Sequence, residues 1–361
     1  MLSEKVGIAL VGSGYSAVNN HLPQLVKVPN AKLVAIVGGR SKSKAKEVAE
    51  HFGAEAYYSY AELQEALKRE DVQMVDVNVP TWLHKDVTVA ATEAGKHILC
   101  EKPMASSLKE ADEMIEAAEK AGVKLMIAHC LRFWPDYIKV KKIIDQGTIG
   151  KPLAARALRI PGPGYPWEWM WFQGGLPPEE RSRYSPSNPP EAWQLAREKS
   201  LGIIDLQIHD IDIVRYMLGS EVESVSAVGG NYVYKSTNCE DHCYSVLRFR
   251  DAKVAQITAT WIRPIEFPFE QSLEIHGTEG YLTLRSKDQP SITVYGNDGS
   301  ISKVAPAQAN GYYEQIAHFV QCILKDEKPM IPPVDSRGSL ETGLAILKSM
   351  ELRKPVSLPL E

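Results

Sequence analysis

Basic residues are not in the excess that a nucleic-acid surface needs. The 361 residues carry 41 Lys and Arg against 45 Asp and Glu, a net charge of −4, with no long basic run to neutralise phosphates. Long apolar runs are missing too. No stretch is long enough to span a bilayer, and the early run VGIALVG, behind a single Lys, is too brief and too Gly-broken for a secretion signal. Cysteine is sparse: five residues, at 100, 130, 239, 243 and 322, an odd and scattered set. That argues against a disulfide framework and for thiols in a reducing compartment, so a cytoplasmic location is expected. The two thiols of NCEDHC (238–243) lack the usual zinc-pair spacing, and period-two alternation predicts both on one face of a strand, so no metal is expected. What remains is ordinary globular composition, 44% apolar and 24% charged, with length for two domains.

Over the first 130 residues apolar runs alternate with amphipathic ones. KVGIALVG (5–12), AKLVAIVGG (31–39), VQMVDVNVP (72–80), KHILCEKP (96–103) and VKLMIAHC (123–130) predict buried strands. SKSKAKEVAEHFG, YAELQEALKRE and SLKEADEMIEAAEKAG predict helices. The last opens on Ser107-x-x-Glu110, a capping box, and closes at Gly122. Strict alternation implies right-handed βαβ units and a doubly wound parallel sheet. Beyond residue 130 the pattern changes. A helix with Pro135 in its first turn precedes a strand, GKPLAARALRI. An irregular segment, Pro161 to Trp193, then holds eight of the 23 prolines and four of the seven tryptophans. After it come a helix, LGIIDLQIHDIDIVRYMLG, several β-like runs from about 222 to 304 and two closing helices near 312–325 and 335–351. The expected architecture is α/β at residues 1–130 and, at 131–361, an α+β domain with an open, largely antiparallel sheet.

Gly12-x-Gly14-x-x-Ala17 follows the first strand and opens a helix, where backbone N–H groups and the positive helix end suit a pyrophosphate. At the first βα junction of such an alternation it points to a dinucleotide. The second strand ends IVGGRSKSKAK, with Gly39 and Arg40 where NAD-binding chains usually place an acid. Arg40 can pair with a 2′-phosphate, and Lys42, Lys44 and Lys46 add positive potential, so NAD(P) is the expected cofactor with a lean to NADP. A solvated helix start is the plainer alternative.

Two constellations carry candidate chemistry. Cys100-Glu101-Lys102-Pro103 ends a buried strand, and ligands of open α/β sheets bind at the carboxyl ends of strands. Lys102 is thereby a candidate for proton transfer or for polarising a carbonyl, against an exposed turn lysine. In GIIDLQIHDID (202–212) Asp205 and His209 stand four apart on one helix face and Asp212 three further, opposite Ile203, Ile204, Ile208, Ile211 and Val214. An imidazole beside a carboxylate can move a proton near neutral pH, although such a stripe is also what a solvated face looks like.

These stretches, with GSGYSA, VPTWLHKDVTVAATEAGKHILCEKPMA and LRFWPDYIKVKKIIDQGTIGKP, resemble the glucose–fructose oxidoreductase / inositol 2-dehydrogenase superfamily of NAD(P)-dependent sugar oxidoreductases over nearly the whole chain. The resemblance implies a Rossmann domain and a C-terminal domain whose open sheet packs on another subunit, giving a homo-oligomer. It implies Lys102, Asp205 and His209 as catalytic groups around the substrate hydroxyl and nicotinamide, with Arg132 beside them for substrate. The implied cofactor set is Gly12, Gly14, Tyr15, Ser16, Gly39, Arg40, Ser41, Pro80, Thr81, His84, Glu101, Lys102 and Trp193. Val79 and Thr81 depart from the family's Thr-Pro-Asn-x-x-His loop. Gln207 replaces a family glycine, either reshaping a pocket floor or facing a neighbouring helix. The aromatic segment suits sugar faces and subunit contacts about equally, with core packing as a third reading. The expected reaction is hydride transfer between a secondary alcohol of a sugar, glycoside or cyclitol and NAD(P), with glycoside 3-oxidation as one form. Glycoside cleavage through a 3-keto intermediate, a non-catalytic cofactor-sensing regulator and a reductase of non-sugar carbonyls are its rivals.

Overall fold

A computed structural model describes residues 5–38, 42–162, 201–233, 239–264 and 266–360. They form two compact units. The first takes the chain up to Cys130 and again Tyr312–Arg337; the second takes the chain from Leu131, Leu201–Gly311 and the chain from Gly338 onward.

The first unit is built on a six-stranded sheet: β1 (Val6–Val11), β2 (Ala31–Val37), β3 (Glu55–Tyr57), β4 (Met74–Val77), β5 (His97–Cys100) and β6 (Leu125–Ile127). Their order is β3-β2-β1-β4-β5-β6, every neighbouring pair parallel. All six residues of β1 are buried, as a strand covered on both faces requires. Each buried Val, Leu or Ile contributes roughly 1.5–3 kcal/mol by leaving water. Five strands are expected from the sequence; the sixth, β3, is the edge strand Glu-Ala-Tyr with one buried side chain and so offers no apolar run to read. Helices α1 (Leu22–Leu25), α2 (Lys42–Phe52), α3 (Leu63–Leu67), α4 (Thr81–Glu93) and α5 (Leu108–Ala121) lie between strands. At α5 the Ser107 hydroxyl accepts from Glu110 N–H at 3.2 Å, and Gly122 closes the helix at φ 65°. The Glu110 carboxylate accepts from Ser106 N–H at 2.9 Å, one residue earlier than in a standard capping box.

The second unit holds α6 (Pro135–Asp145), β7 (Pro152–Ile160) and α7 (Ile204–Leu218). Seven strands follow: β8 (Val222–Gly230), β9 (His242–Phe249), β10 (Val254–Thr260), β11 (Glu270–Gly277), β12 (Gly280–Arg285), β13 (Ile292–Gly296) and β14 (Ile301–Val304). With β15 (Val356–Ser357) the sheet runs β14-β13-β12-β11-β7-β10-β9-β8-β15, antiparallel except at β7–β10. Along β9, Cys243, Ser245, Leu247 and Phe249 are buried while Tyr244, Val246 and Arg248 are exposed, so at this strand the sheet has one covered face and one open face. Helix α7 packs on β7 and β10. Two late helices, α8 (Gly311–Leu324) and α9 (Pro333–Leu352), match the closing pair expected from the sequence. The stretch Tyr312–Arg337, which includes most of α8, groups with the first unit, so the second is not one run of sequence.

Candidate active site

At the end of β1 the chain turns through Gly12, whose φ is +121° and whose added Cβ would lie 2.3 Å from the Asn78 carbonyl oxygen. Only glycine fits there. Gly14 is different: a Cβ on it would meet nothing within 4 Å. The protein does not need glycine at 14 for its own packing, and the open space suits the approach of a pyrophosphate. Tyr15 is exposed and Ser16 half-buried. Ser16–His21 forms a π-type turn that runs into α1, so the expected helix is present but irregular at its start. Gly39, Arg40, Ser41 and Trp193, and nearly all of the Trp/Pro-rich segment, lie outside the described residues.

Pro80 and Thr81, both half-buried, open α4. His84, one turn in, is 1% exposed, with Nδ1 at 2.8 Å from the Pro103 carbonyl and Nε2 at 2.9 Å from that of Val79. Burial pushes its pKa down, and the carbonyl contacts offset this only in part. The ring therefore ties the end of β4 to the turn after Lys102, a supporting place rather than one in contact with a solute. Glu101 also turns inward. Its Oε1 is 2.8 Å from His21 Nε2, and its Oε2 accepts the Lys102 backbone N–H at 3.0 Å. Burial alone would raise the Glu101 pKa, but the hydrogen bond and charge of His21, then the charge of Lys102, hold it below the usual carboxylate range. Lys102 itself is half-buried past the end of β5 and precedes a cis bond to Pro103.

On α7, in the second unit, twelve of fifteen residues are buried; Asp205, His209 and Tyr216 are the half-exposed remainder. A solvated surface helix would show the reverse proportion, so the polar stripe is an opening in an otherwise enclosed helix. Asp212, expected on that face, is buried and accepts from Arg132 Nε at 2.8 Å and Nη2 at 2.7 Å. Arg132 is 4% exposed and lies over the Tyr216 ring at 4.5 Å. Its Nε and Nη2 donors fix α7 through Asp212. Asp210 is held in the same way by Arg159, at 2.7 and 3.1 Å; burial raises the Asp210 pKa and Arg159 offsets it in part. Gln207 faces neither a pocket floor nor a helix. It is fully buried against the sheet, its amide donating to Ser245 Oγ at 2.9 Å and to the Ile257 carbonyl at 3.4 Å.

The cysteine expectation is also revised. Cys239 precedes β9 and only Cys243 lies in it, so the two do not share a strand face. Burial first, then Glu240, pushes the Cys243 thiol up to about 12, which suits packing rather than ligation. Among the described residues no cluster of His, Cys, Asp or Glu is arranged to hold a metal.

Residues 6–129 match the oxidoreductase family with an NAD-binding Rossmann fold, and residues 179–283 match the GFO/IDH/MocA C-terminal domain. The 1,5-anhydro-D-fructose reductase of Ensifer adhaerens is 31% identical over 81% of each chain. The chain belongs to this family. The scyllo-inositol 2-dehydrogenase (NAD(+)) of Bacillus subtilis strain 168 is 27% identical over 99% of this chain and 97% of its own. Among solved structures, the aldose-aldose oxidoreductase of Caulobacter crescentus, complexed with glycerol, shares the fold with a TM-score of 0.81, at 24% identity over 98% of this chain and 100% of its own.

As a GFO/IDH/MocA member the protein is an NAD(P)-dependent oxidoreductase, and the Gly12–Gly14 cradle fits that cofactor on its own geometry. What the sequence did not disclose is the buried set behind Lys102: His21, Asp76 and Asn78. One signal was there. Asp76 interrupts an apolar parallel strand, MVDV, and a carboxylate in such a place must be paired.

Proposed function

We propose that this protein moves hydride between a secondary alcohol of a sugar, glycoside or cyclitol and NAD(P). The observation that carries the reading is the enclosed helix α7, which leaves half-open only Asp205 and His209 of its candidate acid–base groups. The substrates named for the inositol dehydrogenase and anhydrofructose reductase relatives support the substrate class. When bound, the nicotinamide supplies the hydride acceptor. His209 removes the hydroxyl proton as hydride leaves carbon, Asp205 binds that hydroxyl and orients the imidazole, and Lys102 polarises the developing carbonyl oxygen. Gly12, Gly14, Tyr15 and Ser16 hold the pyrophosphate side, with Pro80 and Thr81 along the second loop. Arg40, in place of an acid after β2, favours a 2′-phosphate and hence NADP. The open face of the second unit's sheet is the proposed subunit contact of a homo-oligomer, and the chain's five buried thiols suit a reducing cytosol.

The test is a mass spectrum of the cofactor extracted from the purified protein, then a panel of inositols, hexoses and glycosides followed by the absorbance of reduced nicotinamide. The proposal expects NADP to be the better cofactor and at least one polyol or sugar to be oxidised. Release of aglycone with no net change in cofactor would replace it with the elimination reaction.

A further inference from the structure

Of the buried cluster behind Lys102, Glu101 belongs to the family stretches quoted above, whereas His21, Asp76 and Asn78 do not. His21 is fully buried at the last position of the turn that follows the glycine loop. Its Nδ1 lies 3.0 and 2.9 Å from the two Asp76 oxygens, and its Nε2 lies 2.8 Å from Glu101 Oε1. A ring with a carboxylate at each nitrogen donates from both, which only the imidazolium can do. Burial works against that charge, but the charge and hydrogen bond of Asp76, then those of Glu101, outweigh it and raise the His21 pKa to about 10. Asn78 Nδ2 donates to Asp76 Oδ1 at 2.9 Å, and the Tyr312 ring stands 5.6 Å away, tilted by 57°. The groups facing the imidazolium are thus Asp76, Glu101, Asn78 and Tyr312, with Lys102 the next charge beyond Glu101.

We propose that His21 is a positioning residue: gripped between Asp76 and Glu101, it fixes the carboxylate that in turn fixes the backbone of Lys102. The path is continuous. His21 holds Glu101 Oε1, leaving Oε2 to accept the Lys102 N–H at 3.0 Å. On the other side Asn78, bonded to Asp76, presents the carbonyl against which Gly12 turns. The glycine loop, the ends of β4 and β5 and the Lys102 turn therefore share one set of charged hydrogen bonds, while His84 pins the same turn from Pro103. A buried ion cluster is no more stabilising than apolar side chains of like size, so stability alone does not explain its place at the ligand end of the sheet. The inference rests on the proposed role of Lys102 in polarising the developing carbonyl oxygen.

Full-length His21→Gln and Glu101→Gln test it. The first readout needs neither substrate nor cofactor: the acetylation rate of Lys102 by acetic anhydride, relative to Lys109 with its side chain 88% exposed, measured by peptide mass spectrometry. The ratio should change at least about threefold in both variants, since each alters the charge or the backbone anchor beside the amine. With a sugar that the wild type oxidises, kcat should fall at least about thirtyfold while the KM for sugar and the fluorescence-measured affinity for NADPH stay within about threefold. Folded variants with an unchanged acetylation ratio and near-normal kcat would overturn the proposal. Should His21→Gln fail to fold, Glu101→Gln decides alone, because its amide carries no charge and its single oxygen cannot accept from both donors, His21 Nε2–H and Lys102 N–H, that the carboxylate serves together. A wild type that oxidises nothing would defeat the functional reading, and the acetylation ratio would still decide this one.

Discussion

Gly12 and Gly14 stand two residues apart in one loop and require glycine on different physical grounds. Gly12→Ala places a methyl 2.3 Å from the Asn78 carbonyl at a φ of +121°, so it should destabilise the fold by more than about 2 kcal/mol. Gly14→Ala meets no protein atom within 4 Å and should leave stability within about 0.5 kcal/mol while weakening cofactor binding at least tenfold, to roughly that order. Denaturant melts and cofactor titrations of the two variants separate the cases; equal loss of stability in both would remove the ligand role of Gly14. His21 gives a second prediction. Its folded-state pKa of about 10 stands above the ordinary 6.5. Its stabilisation is complete below about pH 6.5 and lost progressively as pH rises towards about 10. Thermal midpoints of wild type minus His21→Gln should therefore shrink across that window, and parallel profiles would contradict the assignment. The glycines were legible as a motif. The His21 cluster was not, because its partners lie 55 and 80 residues away in sequence and nothing local marks their meeting.

At the scale of elements, α7 divides its carboxylates by burial. Asp212→Asn would leave the Arg132 guanidinium buried with a weakened partner and should cost about 3 kcal/mol or more. Asp205→Asn, on the half-open stripe, should cost less than about 1 kcal/mol and yet lower turnover at least tenfold, roughly the scale of a lost oriented hydrogen bond to the reacting group. Urea melts beside steady-state kinetics check both, and the reverse ranking would mean that the stripe is structural. The helix and its apolar face were plain in the sequence from Ile203, Ile208, Ile211 and Val214. Which of its polar residues would be consumed by arginines was not, since Arg132 and Arg159 arrive from elsewhere in the chain. Gln207 was likewise ambiguous until the sheet beneath it supplied Ser245. Parallel strands declared themselves through Val and Ile runs, whereas β3, Glu-Ala-Tyr, offered no such run.

For the molecule as a whole, the second unit's sheet exposes Val228 (72%) and Val246 (53%) beside Tyr244 and Val254 on one face. Register places Val228 opposite Tyr244 and Val254 opposite Arg248, so these apolar groups are neighbours across β8, β9 and β10. If this face is the proposed subunit contact, Val246→Asp shifts the mass measured by light scattering towards the protomer without loss of fold, and an unchanged mass would contradict that proposal. The two-part organisation was legible in the change from alternating to antiparallel patterning. The return of Tyr312–Arg337 to the first unit was not, because a helix carries no mark of the unit it will join. The central proposal is that Lys102, Asp205 and His209 are each needed for the dehydrogenation. Its most direct test is formation of reduced nicotinamide across the sugar and inositol panel, by wild type, Lys102→Met and His209→Ala at equal cofactor saturation. The account predicts turnover in the wild type and a loss of at least about a hundredfold in each variant; wild-type-like turnover in either variant would contradict it.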